Sequence, residues 1–227
     1  MGSSLNLSSP SPKNNPEIAD FTTMKRYLCC VLLGLTVTSM VNGQSIFKIN
    51  QYNTWISNEL MPVVTLFANH QFNKKLSFTT YFYVNAYNHN SWGEALAGVT
   101  YTPVKGVSVG FLGGLQTNEK EIWRVSPIIM LARDQFSFFG AFEFGGKRFR
   151  WDAMGFYSLK AFKFGAEFIR YYQMYAAGPR IEFSFIKKQP VTIFATGLWD
   201  WTNDRPGLMF GIYSTFGAFK KAAALDD

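Results

Sequence analysis

His89, Ser91 and Glu94 lie in one short run, Asn88-His89-Asn90-Ser91-Trp92-Gly93-Glu94. These are the residue types of a hydrolase, which needs a nucleophile, a base within hydrogen-bond reach and a group that orients the base. Nearness along the chain is not triad geometry, and a polar loop accounts for the same run. The other histidine, His70, falls on an apolar strand face and reads as structural. No glycine loop for phosphate, metal-ligand cluster or dinucleotide fingerprint appears, so neither a metal nor another cofactor is expected. Gly110, Gly113 and Gly114 lie in a strand, where they permit bending and close packing. Cys29 and Cys30, the only cysteines, are adjacent in an apolar stretch and offer no disulfide framework.

The remaining chemistry-bearing residues are charged and tyrosyl side chains set into segments that alternate with a period of two. From Leu76 to Tyr87, one face carries Leu76, Phe78, Thr80, Phe82, Val84 and Ala86, and the other carries Ser77, Thr79, Tyr81, Tyr83, Asn85 and Tyr87. Phe136, Phe138, Phe142 and Phe144 stand opposite Ser137, Ala141 and Glu143 in the same way. Such alternation is the signature of half-buried strands. It predicts strands over 46–56, 61–72, 76–88, 92–103, 107–116, 122–132, 136–145, 149–159, 162–173, 179–186, 190–200 and 207–217. The first is the least regular, because Lys48 to Thr54 is mostly polar. Ten to twelve strands are expected, joined alternately by short turns and longer links. No sustained helical period occurs after Gln44.

Composition narrows the class. Aromatics make up 18% of the 227 residues against 16% charged, and 23 residues are Phe. A soluble domain carries about a quarter charged residues, so this surface faces something other than water. The net charge is +7, but the basic residues are scattered or sit at turns, which argues against a nucleic-acid partner.

Residues 24–43 have the three-part layout of a secretory signal peptide. Lys25 and Arg26 form the basic start, Tyr27 to Val37 the apolar run, and Val41 and Gly43 the small residues before cleavage at Gln44. Residues 1–23, rich in Ser, Pro and Asn, read as a disordered extension or an upstream mis-start, and residues 220–227 as a polar tail.

Residues 44–219 therefore resemble bacterial outer-membrane β-barrels, a likeness of pattern that ends on the aromatics Phe216 and Phe219 of the last strand. The resemblance implies an all-β fold: a closed, antiparallel, up-and-down transmembrane barrel of about twelve strands. Short periplasmic turns and longer extracellular loops would join them. Closure follows from physics, since lipid cannot satisfy an open strand edge. Trp55, Trp92, Trp123, Trp151, Trp199 and Trp201 fall near the longer-loop ends and are expected to form an interfacial girdle. A soluble, ligand-carrying barrel would place its apolar face inside instead. Strand number, the recurring Phe-rich face and the charge on the opposite face favour lipid outside.

With the polar face inward, the lining candidates are Tyr81, Tyr83, Asn85, Tyr87, Glu94, Arg124, Glu143, Arg150, Asp152, Lys163, Glu167, Arg180, Glu182 and Asp200. A tight hairpin at 145–148 would set Glu143 across from Arg150 as an opposite-charge pair. Arg170 falls on the lipid face near a loop end, where it can snorkel to the interface. The expected function is a narrow pore or passive small-solute transporter, with outer-membrane lipid as the surrounding partner. A closed structural barrel within an envelope complex, with protein partners, is the alternative. An outer-membrane lipid hydrolase is the third reading. Some outer-membrane lipid deacylases carry a His-x-Ser arrangement followed by Asn, which His89-x-Ser91 resembles, but Trp92 occupies the Asn position and the strand phase turns both residues inward.

Overall fold

A strand whose edge has no neighbour leaves a row of N–H and C=O groups unpaired. This chain removes every such edge by closure. The computed structural model describes residues 44–56, 59–86, 91–117, 122–145, 149–171, 174–185 and 191–217. Within them run twelve strands: β1 (Gln44–Ile56), β2 (Glu59–Gln71), β3 (Leu76–Asn85), β4 (Trp92–Val104), β5 (Val107–Gln116) and β6 (Trp123–Arg133), then β7 (Phe136–Glu143), β8 (Arg150–Leu159), β9 (Phe162–Tyr171), β10 (Met174–Ser184), β11 (Val191–Asp200) and β12 (Arg205–Phe216). Each pairs antiparallel with its sequence neighbours, and β1 pairs with β12 from Phe47↔Phe216 to Ile56↔Gly207. The result is a closed up-and-down barrel with no helix among the described residues.

Successive side chains of a strand point to opposite faces, and the two faces differ in chemistry. Every strand sets at least one large apolar side chain outward and exposed: Ile49, Val64, Phe78, Val99, Phe111, Leu131, Phe136, Tyr157, Phe168, Ile181, Ile193 and Phe210. On β11, Thr192, Phe194, Thr196, Leu198 and Asp200 are buried inward, while Ile193 and Trp199 between them are exposed. The interior is less uniformly polar than alternation suggests. Val63, Ile169, Leu198 and Met209 pack with Tyr52, Trp92, Phe194 and Tyr213 into an inner apolar cluster, and Leu96, Leu112 and Ile128 form a second. Twelve strands lie between the filled eight-stranded barrels and the open channels of about 16 to 18, and here side chains of β4 and β8 meet inside.

Two expectations about the connections change. Met174 to Gly178 is not a loop: β10 starts at Met174, which pairs with Tyr171 of β9. Ala176 and Ala177 are buried there, so these small residues serve packing rather than turning. The length contrast between the barrel ends is also weaker than expected. One end carries connections 57–58, 86–91, 117–122, 144–149, 172–173 and 201–204; the other carries 72–75, 105–106, 134–135, 160–161 and 185–190. Two links at the supposedly longer end are only two residues, because β2 and β10 begin earlier than their apolar alternation does. Gly106, at φ +82°, makes the tight 105–106 turn, and a side chain there would strike the Ala132 carbonyl.

Candidate functional site: the barrel interior

Most of the inward charges are gathered into two networks. Glu143 and Arg150 are direct cross-strand partners at the β7–β8 hairpin, and their side chains form an ion pair. The same guanidinium also pairs with Glu94 of β4, several strands away around the wall. Arg150 therefore spans part of the lumen, held between two carboxylates, with its guanidinium 4.4 Å from the ring centre of Trp92. Trp92 in turn stacks on Tyr83, with centroids 4.5 Å apart. Arg124, on β6, is buried and donates to Gln116 Oε1 at 2.6 Å and to the Gly145 carbonyl, tying strand β5 to the start of the 144–149 connection.

The second network lines strands β9 to β12. Arg180 Nη1 donates to Glu167 at 2.9 Å, and its Nη2 lies 2.8 Å from Glu182. Thr196 donates to Glu167 at 2.8 Å and the Tyr213 hydroxyl to Glu182 at 2.6 Å. Lys163 Nζ approaches Glu182 to 3.6 Å, and Arg180 lies 3.8 Å from the centre of the Phe194 ring. Both carboxylates and the guanidinium are buried. Burying a charge is costly unless it is paired and hydrogen-bonded, and each member here has such partners.

Beside the Arg150 network lies a cavity of about 50 Å³, lined by Tyr81, Tyr83, Tyr171, Glu94, Glu143, Arg150 and Asp152 among others. At about 10–15 Å³ of such volume per molecule, it has room for a few waters.

Of the lining candidates, Tyr83, Asn85, Glu94, Arg124, Arg150, Glu167, Arg180, Glu182 and Asp200 are buried, and Tyr81, Glu143, Asp152 and Lys163 are half-buried. Two of the buried ones serve the connections. Asp200 accepts from the Thr202 amide at 3.0 Å and from Asn203 at 2.7 Å, holding the 201–204 turn, and Asn85 accepts from the Trp92 amide at 3.3 Å. Tyr87 and His89 lie outside the described residues; Ser91 is exposed. Of the girdle residues, Trp55, Trp123, Trp199 and Trp201 are exposed and Trp151 is half-buried.

Trp92 departs from the expected girdle. It is buried inside the barrel, because it is two residues from inward Glu94 on one strand and must share its face. Sequence reasoning also missed Lys48, Tyr52, Tyr171 and Tyr213 as interior residues. Lys48 Nζ lies 3.8 Å from the centre of the Tyr213 ring. Strand phase was the available signal: Tyr171 follows Glu167 by four positions on β9, and Lys48 and Tyr52 share one face of β1. Arg170 sits near the loop end of β9, 4.5 Å from the Tyr175 ring centre.

No protein-family model matches the sequence, and no curated protein matches it. Solved structures do. A KdgM porin aligns over 74% of this chain and 99% of its own, at 14% identity and a TM-score of 0.55. A KdgM porin in complex with disordered oligogalacturonate covers 74% of this chain and 98% of its own, at 12% identity and a TM-score of 0.53. A NanC porin covers the same shares at 11% identity and a TM-score of 0.52. At these identities the likeness is one of fold: the chain has the fold of bacterial outer-membrane β-barrels.

Proposed function

We propose that this chain is an outer-membrane porin of low conductance, passing water, ions and small polar solutes through an interior narrowed by the Glu94–Arg150–Glu143 bridge. The observation that carries the reading is the reversal of faces. Exposed apolar side chains occur on all twelve strands, whereas soluble monomers rarely expose apolar patches beyond a few hundred Å². The interior meanwhile holds the charges and a water-sized cavity. Exposed Trp55, Trp123, Trp199 and Trp201 serve as interfacial anchors on this reading. Residues 24–43 act as the signal peptide that delivers the chain.

The fold shared with porins, one of them complexed with oligogalacturonate, supports transport as the role. It does not carry over an acidic sugar polymer as the solute. Inward acids here (Glu94, Glu143, Asp152, Glu167, Glu182 and Asp200) outnumber inward bases (Lys48, Arg124, Arg150, Lys163 and Arg180), which gives a polyanion no attracting field. A second reading, a closed structural barrel serving an envelope assembly, is favoured by the inner apolar cluster around Val63, Ile169 and Met209.

Swelling of liposomes carrying the refolded protein separates the two. A pore gives swelling with glycerol-sized solutes that falls away by the size of a trisaccharide. A structural barrel gives the rate of protein-free liposomes for all of them.

A further inference from the structure

We propose that the cavity between Glu94, Glu143 and Asp152 is a binding site for ammonium, a small hydrogen-bond-donating cation, and that it biases the interior toward cations; only this bias rests on the porin reading. Three carboxylates and one guanidinium, Arg150, line the cavity. Arg150 pairs with Oε2 of both Glu94 and Glu143, which leaves the lining one positive charge short of neutralising even that pair. The Glu94 side chain is 1% exposed, and its Oε1 has no hydrogen-bond partner among the described residues. Asp152 lines the same cavity, and its Oδ1 also lacks one. Buried carboxylate oxygens without donors are costly, so the site calls for a donor or a positive charge.

The neighbouring bases act on these carboxylates from a distance, while their described contacts lie elsewhere. Arg124 is turned to Gln116 and the Gly145 carbonyl, Arg180 and Lys163 to Glu167 and Glu182, and Lys48 to the Tyr213 ring. Tyr81, Tyr83 and Tyr171 complete the wall with aromatic rings, which attract cations through their faces. Size and geometry fix the class. A cavity of about 50 Å³ admits an ammonium ion but not a sugar. Among the described residues no group of three His, Cys, Asp or Glu side chains is placed to hold a metal ion. Ammonium, which can donate hydrogen bonds to separate carboxylate oxygens, is therefore a better fit than a metal ion.

The test uses ammonium chloride as the probe. Thermal unfolding of the detergent-refolded protein is followed as ammonium replaces the bulky N-methylglucamine cation at constant ionic strength. The proposal expects a saturable rise in midpoint for the wild type. In Asp152→Asn, half-saturation should move up about tenfold, because one of three neighbouring negative charges is removed. Glu143→Gln provides the same comparison if Asp152→Asn fails to refold. No rise, or an equal rise in wild type and variant, overturns the proposal and leaves water as the cavity's occupant. Liposome swelling without an ammonium-dependent midpoint overturns the cation site alone. An ammonium-dependent midpoint lost in the variant, in a barrel that causes no swelling, upholds the site while the porin reading fails.

Discussion

Arg150 on β8 forms an ion pair with Glu94 on β4 while holding Glu143 on the adjacent strand, so one guanidinium ties together parts of the wall that share no backbone hydrogen bond. Both contacts are buried at the arginine. This makes the bridge at once a brace and a constriction, and the two roles predict different things.

As a brace, the bridge cannot lose its centre cheaply. Arg150→Gln leaves two carboxylates without their counter-ion and should lower unfolding stability by about 3 kcal/mol. The double variant Glu94→Gln, Arg150→Gln should recover part of the loss. Urea unfolding in lipid vesicles, followed by tryptophan fluorescence, measures both. Equal stability of Arg150→Gln and wild type contradicts the brace.

The second network offers a milder test. Tyr213→Phe removes only the hydroxyl that donates to Glu182 at 2.6 Å. Arg180 and Lys163 stay beside that carboxylate. The same unfolding assay should show a loss of about 1.5–3 kcal/mol, the usual worth of a hydrogen bond to a charged group. Arg180→Leu should cost more, since it strips both Glu167 and Glu182 of their shared partner.

The two faces can be told apart by their surroundings. In single-tryptophan variants reconstituted with brominated lipid, Trp123, which is exposed, should be quenched; Trp92, stacked on Tyr83 inside the barrel, should not. Quenching of Trp92 comparable to that of Trp123 contradicts the interior placement.

Phe111 tests the lipid contact itself. It is exposed at mid-strand on β5. Phe111→Arg should destabilise the inserted barrel by about 2–4 kcal/mol if that face lies near the bilayer midplane. A soluble barrel would lose little, since an exposed position tolerates charge in water.

Much of this architecture is legible in the chain because membrane barrels write each side-chain direction into alternate positions. Leu76 to Asn85 and Val107 to Gln116 form strands as the alternation indicates. β1 was harder to read because its inward row includes Lys48, Tyr52 and Thr54, so polarity and not hydrophobicity marks its phase. The start of β10 is hidden in the sequence because Ala176, Ala177 and Gly178 have the composition of a turn, and only pairing with β9 shows them extended. Trp92 differs from the other tryptophans for another reason. The general preference of indole for interfaces competes with the parity it shares with Glu94, and parity prevails because strand geometry is stricter than composition. The Glu143–Arg150 pair follows from hairpin register and could be anticipated. The reach of Arg150 to Glu94 could not, because contacts across a lumen depend on barrel diameter and stagger, which local spacing does not encode.

Single-channel recording in planar lipid bilayers tests the central claim most directly. Refolded Gln44 to Asp227 should give small discrete steps, and Glu94→Gln, which frees one end of the Arg150 bridge, should give larger ones. Insertion without conductance in both proteins, or steps whose size ignores the substitution, would contradict an interior that conducts past this bridge.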